Sequence, residues 1–199
     1  EIAAAVVAQL KIKLLGAAPT TKAVDPEAYA LWLQARQIGR LGNAQAFEQA
    51  LALFQRAVAI QPGYAAAWSG MATTYTNQAA TGLRPVEEAY ALAREAVGRA
   101  LTADPDLASA HANLGWIAMR YDRDLAAAAR HYQRALDLAP AEASILGNAS
   151  TLLSDLNRTE EALAIRTFLV ARDPINPQLR ANLGSVYAAA GRHAEAIDS

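Results

Sequence analysis

The chain of 199 residues contains no cysteine. Disulfides, thiol catalysis and cysteine-ligated zinc are therefore excluded. Compartment stays open between cytoplasm and periplasm, since both suit a cysteine-free chain. Neither sign of charge prevails, with 18 basic residues against 19 acidic ones. A nucleic-acid backbone needs clustered excess Lys and Arg, so nucleic acid is not expected as a partner of this segment. No apolar run approaches the roughly 20 residues that cross a bilayer, and no membrane insertion by this segment is expected. Aromatic residues are scarce, at 7%, and alanine fills their place, which points to close-packed helices rather than a sheet.

Chemistry-bearing motifs are also missing. There is no G-x-S-x-G and no G-x-x-x-x-G-K-[ST] phosphate loop. The three histidines, His111, His131 and His193, stand at unrelated places with no ligand spacing around them. Structural or surface roles are expected for them. Glu87-Glu88 and Glu160-Glu161 open helical segments, where acids favour the positive end of the helix dipole. Asn148-Ala-Ser150 and Asn157-Arg-Thr159 match a glycosylation pattern by accident of a helical sequence. The expectation is a segment with no catalytic residue, no metal and no cofactor.

What the chain has in excess is alanine, roughly a quarter of its residues against a much lower usual share. Alanine is the best helix former, and its small side chain lets helices approach closely. The helical segments recur. Pro62, Pro105, Pro140 and Pro174 follow similar helix-ending phrases, spaced by 43, 35 and 34 residues. Leu114-Gly115, Ala149-Ser150 and Leu183-Gly184 keep the same beat, as do Ala128, Ala162 and Ala196. All eight prolines fall between periodic segments, as expected if a proline inside a helix costs about 3 kcal/mol. Asp25-Pro26 reads as an N-cap followed by proline at the first helical position. Leu51, Phe54 and Val58 share one helix face.

These phrases resemble the tetratricopeptide repeat, a helix–turn–helix unit of 34 residues. The second unit offers Trp68, Met71, Ala72, Tyr75, Ala93, Val97, Ala100 and Pro105. The third offers His111, Leu114, Gly115, Ala118, Ala128, Tyr132, Ala135 and Pro140. The fourth has Leu146, Ser150, Leu153, Ala162 and Pro174, with Arg166 and Leu169 in place of the aromatic and the small residue. The fifth has Leu183, Gly184, Tyr187 and Ala196. The first has Ala35, Ile38, Ala50, Phe54, Ala57 and Pro62, with a longer turn around residues 39–43. The resemblance implies an all-α, right-handed superhelical solenoid of antiparallel helix pairs. Its units fall at about 26–62, 63–105, 106–140, 141–174 and 175–199, the last incomplete. The excess spacing in the second unit predicts a mobile loop at Asn77–Pro85.

Residues 1–16 form a further predicted helix. Ile2, Val6, Leu10 and Leu14 make an apolar stripe, suited to an upstream domain, to the first repeat or to a homodimer. Residues 17–25 read as a linker. This junction resembles the one before the repeat region of bacterial winged-helix regulators and adenylate-cyclase-type signalling proteins. The missing initiator Met and the end in mid-pattern read as a piece of a longer protein.

The resemblance also implies a function: a non-catalytic scaffold that holds a protein or peptide in its concave groove. The alternatives are a regulatory arm of a membrane-linked signalling protein and a self-assembly module. The repeat phase assigns candidate groove residues Trp32, Arg36, Arg40, Thr73, Asn77, Trp116, Met119, Arg120, Thr151 and Asp155. Tyr29, Ser69, Thr76, Ser109, Ala112, Ser144, Gly147, Gln178, Ala181 and Ser185 share those faces. Trp32 and Trp116 suit apolar anchors, and Arg36 and Arg120 suit a carboxylate. The alternative place for Trp116 is between packed helices. Some family members clamp the acidic tail of a chaperone with lysines and asparagines from successive helices. Asn113, Asn148 and Asn182 share one helix position here, but Ala112 and Gly147 stand where lysines would be, so no such clamp is expected.

Overall fold

The computed structural model describes residues 23–198. The predicted helix at 1–16, with the Ile2, Val6, Leu10 and Leu14 stripe, lies outside the described residues. All regular structure among the described residues is helical. The helices group into two compact units, residues 23–124 and residues 125–198.

In residues 23–124 the helices are α1 (Pro26–Gly39), α2 (Ala44–Ile60), α3 (Ala65–Ala80), α4 (Val86–Ala103) and α5 (Ala108–Ile117). The last runs into a wider π-helical turn, Ala118–Asp122. The pairs α1/α2 and α3/α4 pack most closely. The caps follow the local sequence. The Asp25 carboxylate accepts from the backbone N–H groups of Glu27 and Ala28, and Pro26 takes the first helical position. Asn43 accepts from Ala46 N–H and starts α2. Gly42 adopts a positive φ of 69° in the turn before it, a conformation glycine reaches without strain. Small residues let the helices meet: Ala28, Ala35, Ala50, Ala57, Ala72 and Ala93 are all fully buried.

In residues 125–198 the helices are α6 (Leu125–Leu138), α7 (Ala143–Asp155), α8 (Thr159–Arg172), α9 (Pro177–Ala189) and α10 (His193–Asp198). Each packs on its neighbour in sequence, α7 on α8 most closely. The core is built from Tyr132, Leu136, Ile145, Leu146, Leu152, Leu153, Leu163 and Leu169, all buried. Asn176 caps α9 through the N–H groups of Gln178 and Leu179, and Pro177 follows as its first residue.

The structure corrects the expected loop at Asn77–Pro85. Residues 77–80 are helical, and only Thr81–Pro85 connect α3 to α4. The extra residues lengthen both helices, to 16 and 18 residues. The remaining turn is fastened. Leu83 and Arg84 donate their backbone N–H groups to Gln78 O. Arg84 Nε donates to the buried Gln78 Oε1 at 2.8 Å, and Gln78 Nε2 donates to Glu48 at 2.8 Å. Arg84 also pairs with Glu88 and lies over the Tyr75 ring. The turn has the composition of a free loop, and a buried glutamine ties it down.

Candidate functional site

In residues 23–124, α1 and α3 present a cluster of rings. Tyr29 and Trp32 are one turn apart on α1 and stack with centroids 5.6 Å apart. Arg36, the next turn along, sits 4.7 Å over the Trp32 ring. Tyr64 closes the far side, 6.1 Å from Trp32. The indole N–H of Trp32 donates to Ala66 O at 3.2 Å, which fixes the ring. Trp32 is half-buried and Tyr29 is 46% exposed. The cluster is therefore a rigid aromatic plate with a cation on top, its inner edge sealed. Burial, with Tyr29 beside it, pushes the Tyr64 hydroxyl up to about 12. Arg40 stands one residue beyond α1, exposed in the turn.

The next face belongs to α3 and α5. Ser69 Oγ meets Ser109 Oγ at 2.8 Å, and Asn113 Nδ2 donates to Ser69 O at 2.9 Å. Thr73 Oγ1 donates to Asn113 Oδ1 at 3.0 Å. The polar side chains of this face thus satisfy one another across the helix boundary. Thr73 is exposed above them. Asn77 is also exposed, and its carbonyl accepts from Thr81 N–H and Thr81 Oγ1 in the last turn of α3. Thr76 is a correction: it is buried, and its hydroxyl donates to Thr73 O.

Trp116, on α5, is half-buried. Arg120 lies 5.0 Å over its ring. The indole lies beside the Tyr90 phenol of α4, and Tyr90 stacks on Tyr121 at 4.7 Å. Arg94 pairs with Asp122 beside that stack. Trp116 thus both packs between helices and keeps one surface under a cation. Met119 does not belong to the exposed face. It is 1% exposed and sits in the core. The helix widens into the π turn at Ala118, so each residue turns through a smaller angle than in an α-helix and Met119 is carried inward.

In residues 125–198 the face of α7 carries Gly147, Thr151 and Asp155, one turn apart. Asp155 is the exposed last residue of the helix. Thr151 Oγ1 donates to Gly147 O at 3.2 Å and accepts from Arg166 Nη2 at 2.9 Å. Arg166 comes from α8 and is only 8% exposed. Burial lowers its pKa, though an arginine stays a cation at neutral pH. The repeat pattern marked Arg166 as a departure from the aromatic slot; what it missed is that the side chain reaches the α7 face.

The histidines are accounted for in part. His111 Nε2 lies 2.9 Å from Pro105 O. Trp68 makes the same contact in the preceding repeat, donating Nε1 to Pro62 O at 2.9 Å. Both residues stand six positions after their proline, so a ring nitrogen ties the start of the helix to the end of the one before it. Among the described residues no three His, Asp or Glu side chains are grouped as a metal site. No helix among them is long and apolar enough to cross a membrane.

No family model matches the chain, and no curated protein matches it. Solved structures do. A thermophilic TPR protein of Thermus thermophilus is 23% identical, with a TM-score of 0.62 over 86% of this chain and 87% of that one. PilW, a widely conserved type IV pilus biogenesis factor, is 20% identical, with a TM-score of 0.62 over 87% and 74%. PilF of Pseudomonas aeruginosa is 17% identical, with a TM-score of 0.55 over 85% and 74%. At these identities the likeness concerns the fold: the chain has the helix-pair architecture of tetratricopeptide-repeat solenoids.

Proposed function

We propose that the chain is a non-catalytic scaffold that binds a protein or peptide on the first-helix faces of its repeats. The observation that carries this reading is the Tyr29–Trp32–Arg36 plate. It offers a half-open aromatic surface with a cation stacked on it, held by Tyr64 and by the bond to Ala66 O. Rigid aromatics lose little entropy on binding, and Trp, Tyr and Arg dominate interface energetics. The Trp116–Arg120 pair supplies a second plate of the same kind in the same unit. The candidate positions Thr73, Asn77, Thr151 and Asp155 then supply polar contacts, and Arg36, Arg40 and Arg120 positive charge. The finer assignments rest on less: the regulatory arm of a signalling protein on residues 1–16, the linker and the start of the first repeat, and self-assembly on the Ile2–Leu14 stripe or the incomplete last repeat.

The test is selection of peptides from a random displayed library against the full chain, followed by affinity measurement on the enriched sequences. Trp32→Ala, and separately Trp116→Ala with Arg120→Ala, should each weaken binding by about tenfold or more, the scale of a lost aromatic anchor. Circular dichroism would check that the variants remain folded. Peptides that bind both variants as tightly as the parent chain would remove these faces from the reading.

A further inference from the structure

Within residues 125–198, Arg166 occupies the slot that holds Phe54, Val97 and Tyr132 in the other repeats. A charge in that slot has to be answered, and here it is answered only in part. Nη2 donates to Gly147 O at 3.1 Å and to Thr151 Oγ1 at 2.9 Å. Both acceptors are neutral. Gly147 O is already taken by the hydroxyls of Ser150 and Thr151. Nε is buried and has no hydrogen-bond partner. Nη1 carries no hydrogen bond either, yet it is not among the sealed atoms. It points toward Gly147, 3.9 Å from where a β-carbon would stand. Among the described residues no carboxylate lies within ion-pair distance of Arg166. A buried cation without a counter-charge is costly, and it is rarely left so without a use.

We infer that the notch at Gly147 is a carboxylate subsite, in which Arg166 Nη1 receives one acidic group, side-chain or C-terminal, of a bound peptide. The inference rests on the scaffold reading and gives it a chemical preference. The absent side chain at Gly147 opens the path from the α7 face to the guanidinium. Thr151 holds Nη2 and so orients the planar group, which leaves the Nη1 edge for the ligand. A neutral carbonyl would satisfy the hydrogen bond but leave the charge uncompensated. A dianion would exceed the single cation and meet Asp155, one turn beyond Thr151. A single carboxylate balances the charge. The cation arrives from the second helix of its pair, through a gap in the first helix, rather than from lysines on successive first helices.

The experiment follows the arginine Nε–H signals of the full, 15N-labelled chain by NMR. The probes are acetyl-Ala-Asp-Ala-amide, acetyl-Ala-Ala-Ala with a free C-terminus, acetyl-Ala-Asn-Ala-amide and inorganic phosphate. The buried Arg166 Nε–H should shift saturably with one or both carboxylate peptides, and the two arms tell a side chain from a chain end. The asparagine peptide should bind at least about tenfold more weakly, as expected for loss of a charge-assisted bond. Gly147→Leu, which plugs the notch and keeps the arginine, should abolish the shift. Gly147→Ala should keep part of it, and Arg166→Lys should keep some affinity that Arg166→Gln loses. Equal response to the asparagine peptide, a response surviving Gly147→Leu, or a response to phosphate alone would overturn the inference. If library-selected peptides still bind Arg166→Gln at full strength, the carboxylate subsite fails while the scaffold reading stands. If those peptides ignore Trp32 and Trp116 but respond to Arg166, the aromatic faces of residues 23–124 leave the scaffold reading and the carboxylate subsite stands.

Discussion

Gly70 and Gly147 both lie inside the first helix of a pair, and the two units use the missing side chain in opposite ways. At Gly70 the space is filled by the Phe54 ring, so that an added β-carbon would stand 2.4 Å from Phe54 Cζ. At Gly147 the nearest atom is Arg166 Nη1, at an ordinary contact distance of 3.9 Å. Phe54 and Arg166 hold the same slot of their repeats. An apolar ring in that slot closes the helix contact; a guanidinium in it leaves a passage. The polar atoms differ in the same sense. In residues 23–124, Ser69, Thr73, Ser109 and Asn113 satisfy one another. In residues 125–198, Arg166 keeps donors in reserve. A packing position that gives up an apolar residue for an unpaired charge has lost stability, and the loss marks where to look for function.

The largest effect should come from filling the occupied gap. Gly70→Ala forces the buried Phe54 ring to move and should cost about 1–3 kcal/mol, the usual range for overpacking. Urea unfolding measures it, and Phe54→Leu in the same chain should recover part of the loss, since the two residues touch. Additive losses in the double variant would show that the ring does not fill the Gly70 gap. Next in size is Arg166→Leu, which returns an apolar residue to the slot and removes a buried unpaired cation. It should raise stability by about 1–2 kcal/mol. A loss of similar size would mean that the hydrogen bonds to Gly147 and Thr151 hold the fold, and the contrast with Phe54 would disappear.

An alkaline response should mark residues 23–124. Tyr64 is pushed up to about 12, and Tyr75 and Tyr90 are also raised, in each case chiefly by burial. Above pH 10 the unfolded chain releases these protons while the folded chain keeps them. The folded state then binds more protons, so stability falls as pH rises. The contribution is complete below pH 10 and is lost as pH rises through the folded values. Melting temperature should decline above pH 10, less steeply in Tyr64→Phe. An unchanged slope in that variant would take Tyr64 out of the account.

Much of this contrast was written in the sequence, though not all of it was readable there. The prolines marked the helix ends, and Asp25-Pro26 capped a helix where local chemistry required. Those signals are local, which is why they were legible. The spacing of 43 between Pro62 and Pro105 announced extra residues but not their form. Alanine at 79 and 80 has no reason to leave a helix, and Gln78 ties the turn to Glu48, 30 residues earlier, a contact that no local pattern shows. The spacing of 35 between Pro105 and Pro140 carried one residue beyond the repeat. That residue falls between Gly115 and Ala128, where the helix widens into the π turn and takes Met119 into the core. A groove phase extended at a constant angle past Ile117 fails for that reason. Arg166 stood out as a departure, but its reach across to Thr151 is tertiary information.

The smallest predicted effect is the one that separates the two glycines by sign. A glycine inside a helix costs roughly 0.5–1 kcal/mol relative to alanine, because the unfolded chain loses more freedom there. At Gly147 nothing opposes the gain, since a β-carbon would meet only Arg166 Nη1 at 3.9 Å. Gly147→Ala should therefore stabilise the chain by about that amount, where Gly70→Ala destabilises it. The urea midpoint should rise with an unchanged slope, as expected when stability changes and the exposed surface does not. A fall in the midpoint would make Gly147 a packing glycine like Gly70, and the notch would lose its meaning. A rise would show that the chain keeps this glycine against its own stability, which is what an opening onto Arg166 requires.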